Sequence, residues 1–166
     1  MNNQLEKIFK IDLDNGFFRI DNKFVLIPGL MAEDFLKSEL YQNYSMDQID
    51  IEQLKIQKRI VLKIPNLADK CWYLTLIFDK LILRSVRIYI TRDSMGDIFQ
   101  SSKNDLDLFR DFLMVNFENH KVYKESSSSL SYKFPWGLVE SSTKPDGLLA
   151  KIIIQFKTSM ALKPGV

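Results

Sequence analysis

Few side chains in this sequence have both the type and the spacing to do chemistry. Asp12, Asp14, Asn15 and Gly16 form the run Asp12-Leu13-Asp14-Asn15-Gly16, and oxygen donors followed by a glycine are what a calcium loop uses. The run lacks the Asp-x-Asp-x-Asp-Gly spacing, and no glutamate stands at the twelfth position to complete the coordination. A hairpin turn explains the same residues. His120 is the one histidine, so it has no second histidine with which to build a triad or a zinc site. It follows a predicted helix, where the dipole favours a protonated imidazole. Cys71 is the one cysteine, which rules out an intrachain disulfide and a cysteine-based zinc site. It opens an apolar run beside Trp72, and a thiol buried there is inert, because a reactive thiolate needs an accessible, electropositive setting. Neither a Gly-rich phosphate loop nor Gly-x-Ser-x-Gly occurs. No catalytic residue, cofactor-binding residue or metal ligand is assigned, and an enzyme reading would rest on a carboxylate pair that no spacing marks.

What the chain does have is charge in blocks. Between residues 33 and 52 stand Glu33, Asp34, Glu39, Asp47, Asp50 and Glu52 against the single base Lys37. Lys55, Lys58, Arg59 and Lys63 follow without an acid, and Lys80, Arg84, Arg87 and Arg92 form a second basic group. Such blocks are ordinarily solvated faces, but they also create local fields that steer a partner. A net charge of +2 and the lack of a recognisable module argue against nucleic-acid binding. Phe35, Tyr41 and Tyr44 are interleaved with the acids, and aromatic anchors among charges suit a surface that binds a basic protein. The expected contact residues are Glu33, Asp34, Glu39, Tyr44, Asp47 and Asp50.

The elements that must position these residues are read from periodicity. Phe9, Ile11 and Leu13 alternate as in a strand, and two further strands, Phe17 to Ile20 and Phe24 to Ile27, follow across turn residues. Ala32 to Tyr41 has a helical stripe with Glu33 and Asp34 in its first turn. From Leu54 to Ile64 the apolar residues fall on even positions, which predicts a strand ended by Pro65. Trp72 to Phe78 is apolar on both faces, as in a central strand, and returns through Asp79-Lys80 into Leu81 to Ile90. Arg84 shares a face with apolar neighbours there. Lys103 to Asn119 is the clearest helix, with Ser102 as its N-cap. Lys124 to Ser131 reads as a flexible serine-rich loop. Tyr132 to Trp136, Leu138 to Ser142 and Leu148 to Phe156 are the remaining strands, with Pro135 marking an edge and Lys144-Pro145-Asp146-Gly147 a turn.

Hydrophobic residues make up 46% of the 166 and charged residues 27%, which is globular composition without the roughly 20-residue apolar run of a membrane span. Glu6, Asp12 and Asp14 break any signal-peptide core, so a cytoplasmic location is expected. The expected architecture is one α+β domain over residues 1–157 with a loose tail over 158–166. Its twisted, mainly antiparallel sheet should have about eight or nine strands, with two helices packed on one side.

The segments "FFRIDNKFVLIPGLMAEDFLKSELY" and "YKFPWGLVESSTKPDGLLAKIIIQF" resemble small bacterial immunity proteins of contact-dependent and other polymorphic toxin systems. The likeness rests on the order of elements, on Trp136-Gly137 and on the turn residues. It implies tight, non-catalytic binding of a cognate toxin's C-terminal domain and carries over no residue role. The net charge of +2 departs from the acidic immunity proteins that block nucleases. A different class stays open alongside it, because a curved sheet capped by helices can also enclose a small apolar ligand.

Overall fold

The computed structural model describes residues 4–90, 98–143 and 149–157. The chain enters through a short helix, α1 (Gln4–Ile8), which buries Leu5 and Ile8 three residues apart. Alternation begins only at β1 (Phe9–Ile11), so the first strand is shorter than its sequence pattern suggests. It pairs antiparallel with β2 (Phe18–Ile20), which pairs with β3 (Phe24–Leu26), completing the expected three-stranded unit.

The predicted helix over residues 32–41 is two helices, α2 (Ala32–Leu36) and α3 (Glu39–Tyr44). Ser38 divides them: its backbone is extended and its hydroxyl accepts the Tyr41 N–H at 3.2 Å, so it caps a new helix. The largest difference comes next. Residues 51–57, half of which the period-two pattern assigned to a strand, form α4 (Ile51–Gln57). A capping box starts it: the Gln53 N–H donates to the Asp50 carboxylate at 2.8 Å, and the Asp50 N–H donates to the Gln53 side chain at 2.9 Å. Lys58, left-handed at φ 59°, ends the helix, and the strand begins at Arg59.

Three long strands follow: β4 (Arg59–Leu67), β5 (Lys70–Asp79) and β6 (Ile82–Ile90). On β5, Trp72, Leu74, Leu76 and Phe78 face inward and are buried. Each such side chain is worth about 1.5–3 kcal/mol of burial. A bulge accounts for Arg84 among its apolar neighbours. Ile77 pairs with Ser85 but Phe78 pairs with Leu83, so Arg84 is the extra residue, and Leu83 and Val86 both reach the core. The helix α5 (Ile98–Asn116) begins earlier than predicted, and Ser102, expected as its cap, is buried within it.

The serine-rich segment is not a free loop. It makes β7 (Lys124–Glu125) and the start of β8 (Ser129–Phe134). Arg110 of α5 fixes this hairpin by donating to the carbonyls of Ser126 and Ser129, at 3.0 and 3.1 Å, and to the Glu125 carboxylate at 2.8 Å. β9 (Gly137–Ser142) and β10 (Lys151–Phe156) complete the strands of the described residues. Pro135 lies in the two-residue turn between β8 and β9, where its missing N–H costs nothing, so β8 is an interior strand and β7 takes the edge. The turn expected at 144–147 and the tail at 158–166 lie outside the described residues.

The α+β class and the antiparallel pairing are as the sequence predicts. Among the described residues the strands number ten, and they divide into the three-stranded unit and a seven-stranded sheet ordered β4-β5-β6-β10-β9-β8-β7. The described residues form five helices where two were expected. Aromatic contacts stack the layers. Phe109 of α5 lies 6.4 Å from Trp72, Phe117 lies 5.0 Å from both Tyr132 and Phe134, and Phe9 meets Trp72 edge-on at 5.0 Å. Phe35 of α2 sits 5.9 Å from Phe78. The small sheet and these helices therefore pack on one face of the large sheet, and one continuous core joins them. The opposite face carries Lys63, Arg87, Lys133 and Gln155, all exposed.

Candidate functional site

The oxygen donors of the first turn are occupied structurally. The Asp12 carboxylate accepts the N–H groups of Asp14 and Asn15, at 2.9 and 3.3 Å, and the Asn15 side chain accepts the Phe17 N–H at 2.9 Å. Those oxygens close a hairpin turn. His120 is exposed, with its ring 5.3 Å from Phe134. Cys71 is a half-buried free thiol. Among the described residues, no group of three or more His, Cys, Asp and Glu side chains is placed to hold a metal ion. Within the same residues, no helix is long and apolar enough to cross a membrane.

The acidic segment divides into roles. Glu33, Asp34, Glu39, Asp47 and Asp50 are all exposed. Glu33 pairs with Lys37 at 3.2 Å, one turn along the helix. Asp50 is committed to the capping box of α4. Glu39 stands in the first turn of α3, where the helix dipole favours an acid. Phe35 and Tyr41, expected among the anchors, are core residues. The Tyr41 hydroxyl accepts the Ile49 N–H at 2.8 Å and donates to the Ile49 carbonyl at 3.2 Å, which fixes the loop between α3 and α4.

Asp34, Tyr44 and Asp47 are brought onto one strip of surface. Asp34 lines a hollow of about 190 Å³ with Phe24 and the exposed Val25. Phe24 meets Tyr44 edge-on at 6.1 Å. Tyr44 then lines a groove of about 410 Å³ with Met46, Lys63 and Pro65. Asp47 lines the next hollow, about 120 Å³, with Arg59 and Val61 of β4. The bridge between Ser45 and Leu62, with the Met46 N–H donating to the Val61 carbonyl at 3.0 Å, holds this segment along the edge of β4. Nothing places Glu33, Glu39 or Asp50 on the strip itself.

Sequence reasoning missed the apolar half of this surface. Val25 is 41% exposed and Met46 52%, so the strip mixes acids with a thioether and an aliphatic group that water would otherwise cover. In the sequence Val25 sits inside a strand pattern and Met46 in a polar link. Neither carries a local signal, since exposure at those positions is set by what packs beside them.

No family model matches the sequence, and no curated protein matches it. Among solved structures, the chain is similar to a chain of the complex "Rhs1-CT in complex with cognate immunity protein RhsI1". The TM-score is 0.49 and the identity 11%, with 95% of this chain and 91% of that chain covered.

Proposed function

We propose that this chain is a non-catalytic immunity protein, which neutralises a cognate toxin by binding the toxin's C-terminal domain in the cytoplasm. The observation that carries the binding role is the strip from Asp34 through Phe24 and Tyr44 to Met46 and Asp47. Aromatic and thioether groups in shallow hollows supply anchors, and the flanking acids steer a basic partner surface. The resemblance of the two sequence segments supplies the toxin class. In this reading Asp34, Tyr44 and Asp47 touch the partner, while Glu33, Glu39 and Asp50 contribute field from the flanks. Residues 1–157 act as one binding unit.

The test is binding of the C-terminal domain of the toxin encoded beside this chain's gene. A stoichiometric complex that survives gel filtration is expected. Reversing both acids of the strip, Asp34→Lys with Asp47→Lys, should weaken it about 30-fold, the loss that a pair of interface contacts carries. A toxin domain that elutes free of the wild-type chain overturns the function. A complex indifferent to both substitutions removes the strip as its contact.

A further inference from the structure

The open face of the seven-stranded sheet has its own chemistry. Cross-strand register aligns its outward side chains in rows. Arg59, Ile77, Ser85, Gln155, Leu138 and Lys133 form one row. Val61, Thr75, Arg87, Ile153 and Glu140 form the next, and Lys63, Tyr73 and Tyr89 begin a third. Tyr123 and Lys124 extend the face past β8, where the Tyr123 N–H donates to the Ser131 carbonyl at 2.8 Å and Lys124 pairs with Ser131.

Two properties of these rows select an occupant. The first is charge. The outward positions carry Arg59, Lys63, Arg87, Lys124, Lys133 and Lys151 against the acids Asp79 and Glu140. This face is therefore basic, while the helical segment across β4 from it is acidic. The second is how the aromatics are engaged. Tyr73 and Tyr89 meet edge-to-face at 5.5 Å, Lys63 lies 6.0 Å from the Tyr73 ring, and Lys133 and Lys124 lie 5.1 and 5.4 Å from the Tyr123 ring. Rings occupied in this way offer little face for base stacking. Half-buried Val61, Ile77, Leu138 and Ile153 are spaced among the cations, as in a protein interface.

We infer that the partner-docking surface continues from the acidic strip across β4 onto this sheet face, where it binds an acidic surface of the same toxin domain. This rests on the immunity reading above. The two surfaces are contiguous: Lys63 and Pro65, at outward positions of β4, line one groove with Tyr44 and Met46. Seven strands at about 4.8 Å spacing, over about 20 Å of strand length, give a face of about 600 Å². A standard interface takes about 800 Å² from each partner, so the face supplies most of that area and the adjoining strip adds to it. The bound domain is thus dipolar, basic over the strip and acidic over the sheet.

Charge reversal on the sheet, Arg87→Glu with Lys133→Glu, tests this in titrations of the same toxin domain. Both side chains are exposed, and circular dichroism checks that the fold persists. The expected result is association slowed about tenfold or more. Tyr73→Ala should raise Kd about tenfold by removing an anchor beside Lys63, where the face adjoins the groove of the strip. Wild-type affinity retained by both variants overturns the sheet-face inference while the immunity reading stands; no complex with the wild-type chain overturns both. A 20-nucleotide single-stranded RNA serves as a second probe. Submicromolar binding of that RNA, abolished by the same charge reversal, would overturn the inference in favour of a nucleic-acid face.

Discussion

Trp136 shows how one residue ties distant parts of this chain together. Its indole N–H donates to the Leu13 carbonyl at 2.8 Å, its ring stacks on Phe134 at 5.1 Å, and it is 1% exposed. Gly16 lies under that ring, left-handed at φ 75°, and a Cβ there would stand 2.6 Å from two ring carbons. Gly16→Ala combines a left-handed backbone penalty with overpacking, so it should destabilise the protein by about 2–4 kcal/mol in urea unfolding. The neighbouring Gly137 is required by a different contact, since a Cβ there would fall 2.0 Å from the Gln155 carbonyl oxygen. The Trp-Gly pair is therefore a structural joint. Tyr132 is a second informative residue. Burial raises its phenol pKa above 10.0, with Glu125 adding to the rise and Arg110 opposing it. The raised group keeps its proton longer in the folded state, so its contribution is complete below about pH 10 and is lost as pH climbs through the folded pKa. Tyr132→Phe should flatten the fall in urea midpoint between about pH 9 and pH 11. A slope identical to wild type would remove Tyr132 as its source.

At the scale of elements, the short pieces are set by caps and turns and the long ones by the core. Asp50 illustrates the distinction, because the sequence presents it as one more acid of a contact surface and the structure makes it the cap of α4. Asp50→Ala should cost about 1 kcal/mol of stability in chemical denaturation and slow partner association only slightly, as one charge on the flank of the strip. A variant of unchanged stability with weakened binding would reverse that assignment. The two-residue turns tell a related story. Asp21 and Asn22 take left-handed φ values of 53° and 52°, which residues of this kind tolerate. Lys80 and Leu81 do the same at 50° and 63° without that tolerance. There the pairing of β5 with β6, and the Ala32 N–H donating to the Leu81 carbonyl at 2.8 Å, impose a conformation that propensity alone would not choose.

The whole molecule separates opposite charges across one strand. Asp34 and Asp47 lie on the helical side of β4, and Lys63 and Arg87 lie on the open face of its sheet. A dipolar arrangement of this kind works mainly through association rate and orientation. If the proposed toxin complex forms, added salt should slow its association with little change in dissociation, because screening acts on the approach and packed anchors hold the bound state. The same stopped-flow series run with the sheet-face charge reversal should show a shallower salt dependence. An unchanged dependence would place the steering elsewhere.

The sequence by itself determined the class of the fold, the long strands β5 and β6, the main helix and the middle of β4, but not the ends of β4, which begins at Arg59 and runs through Pro65 to Leu67. The apolar run Trp72–Phe78 marks an interior strand, and a three-to-four stripe through Phe109, Leu113 and Phe117 is a local statement of which side of a helix faces a core. The acidic block was legible for the same reason, as a matter of residue type. Tertiary structure decided the rest. Residues 51–57 are helical because a capping box and the burial of Leu54 outweigh an even-numbered apolar pattern. The serine-rich segment is a hairpin because Arg110, from another element, binds its carbonyls. Which acids share a strip with Tyr44 and Met46, and which cations line up across five strands, depends on register and packing between segments far apart in the chain. No local pattern encodes those distances, because the contacts that set them form only when the sheet closes over its core.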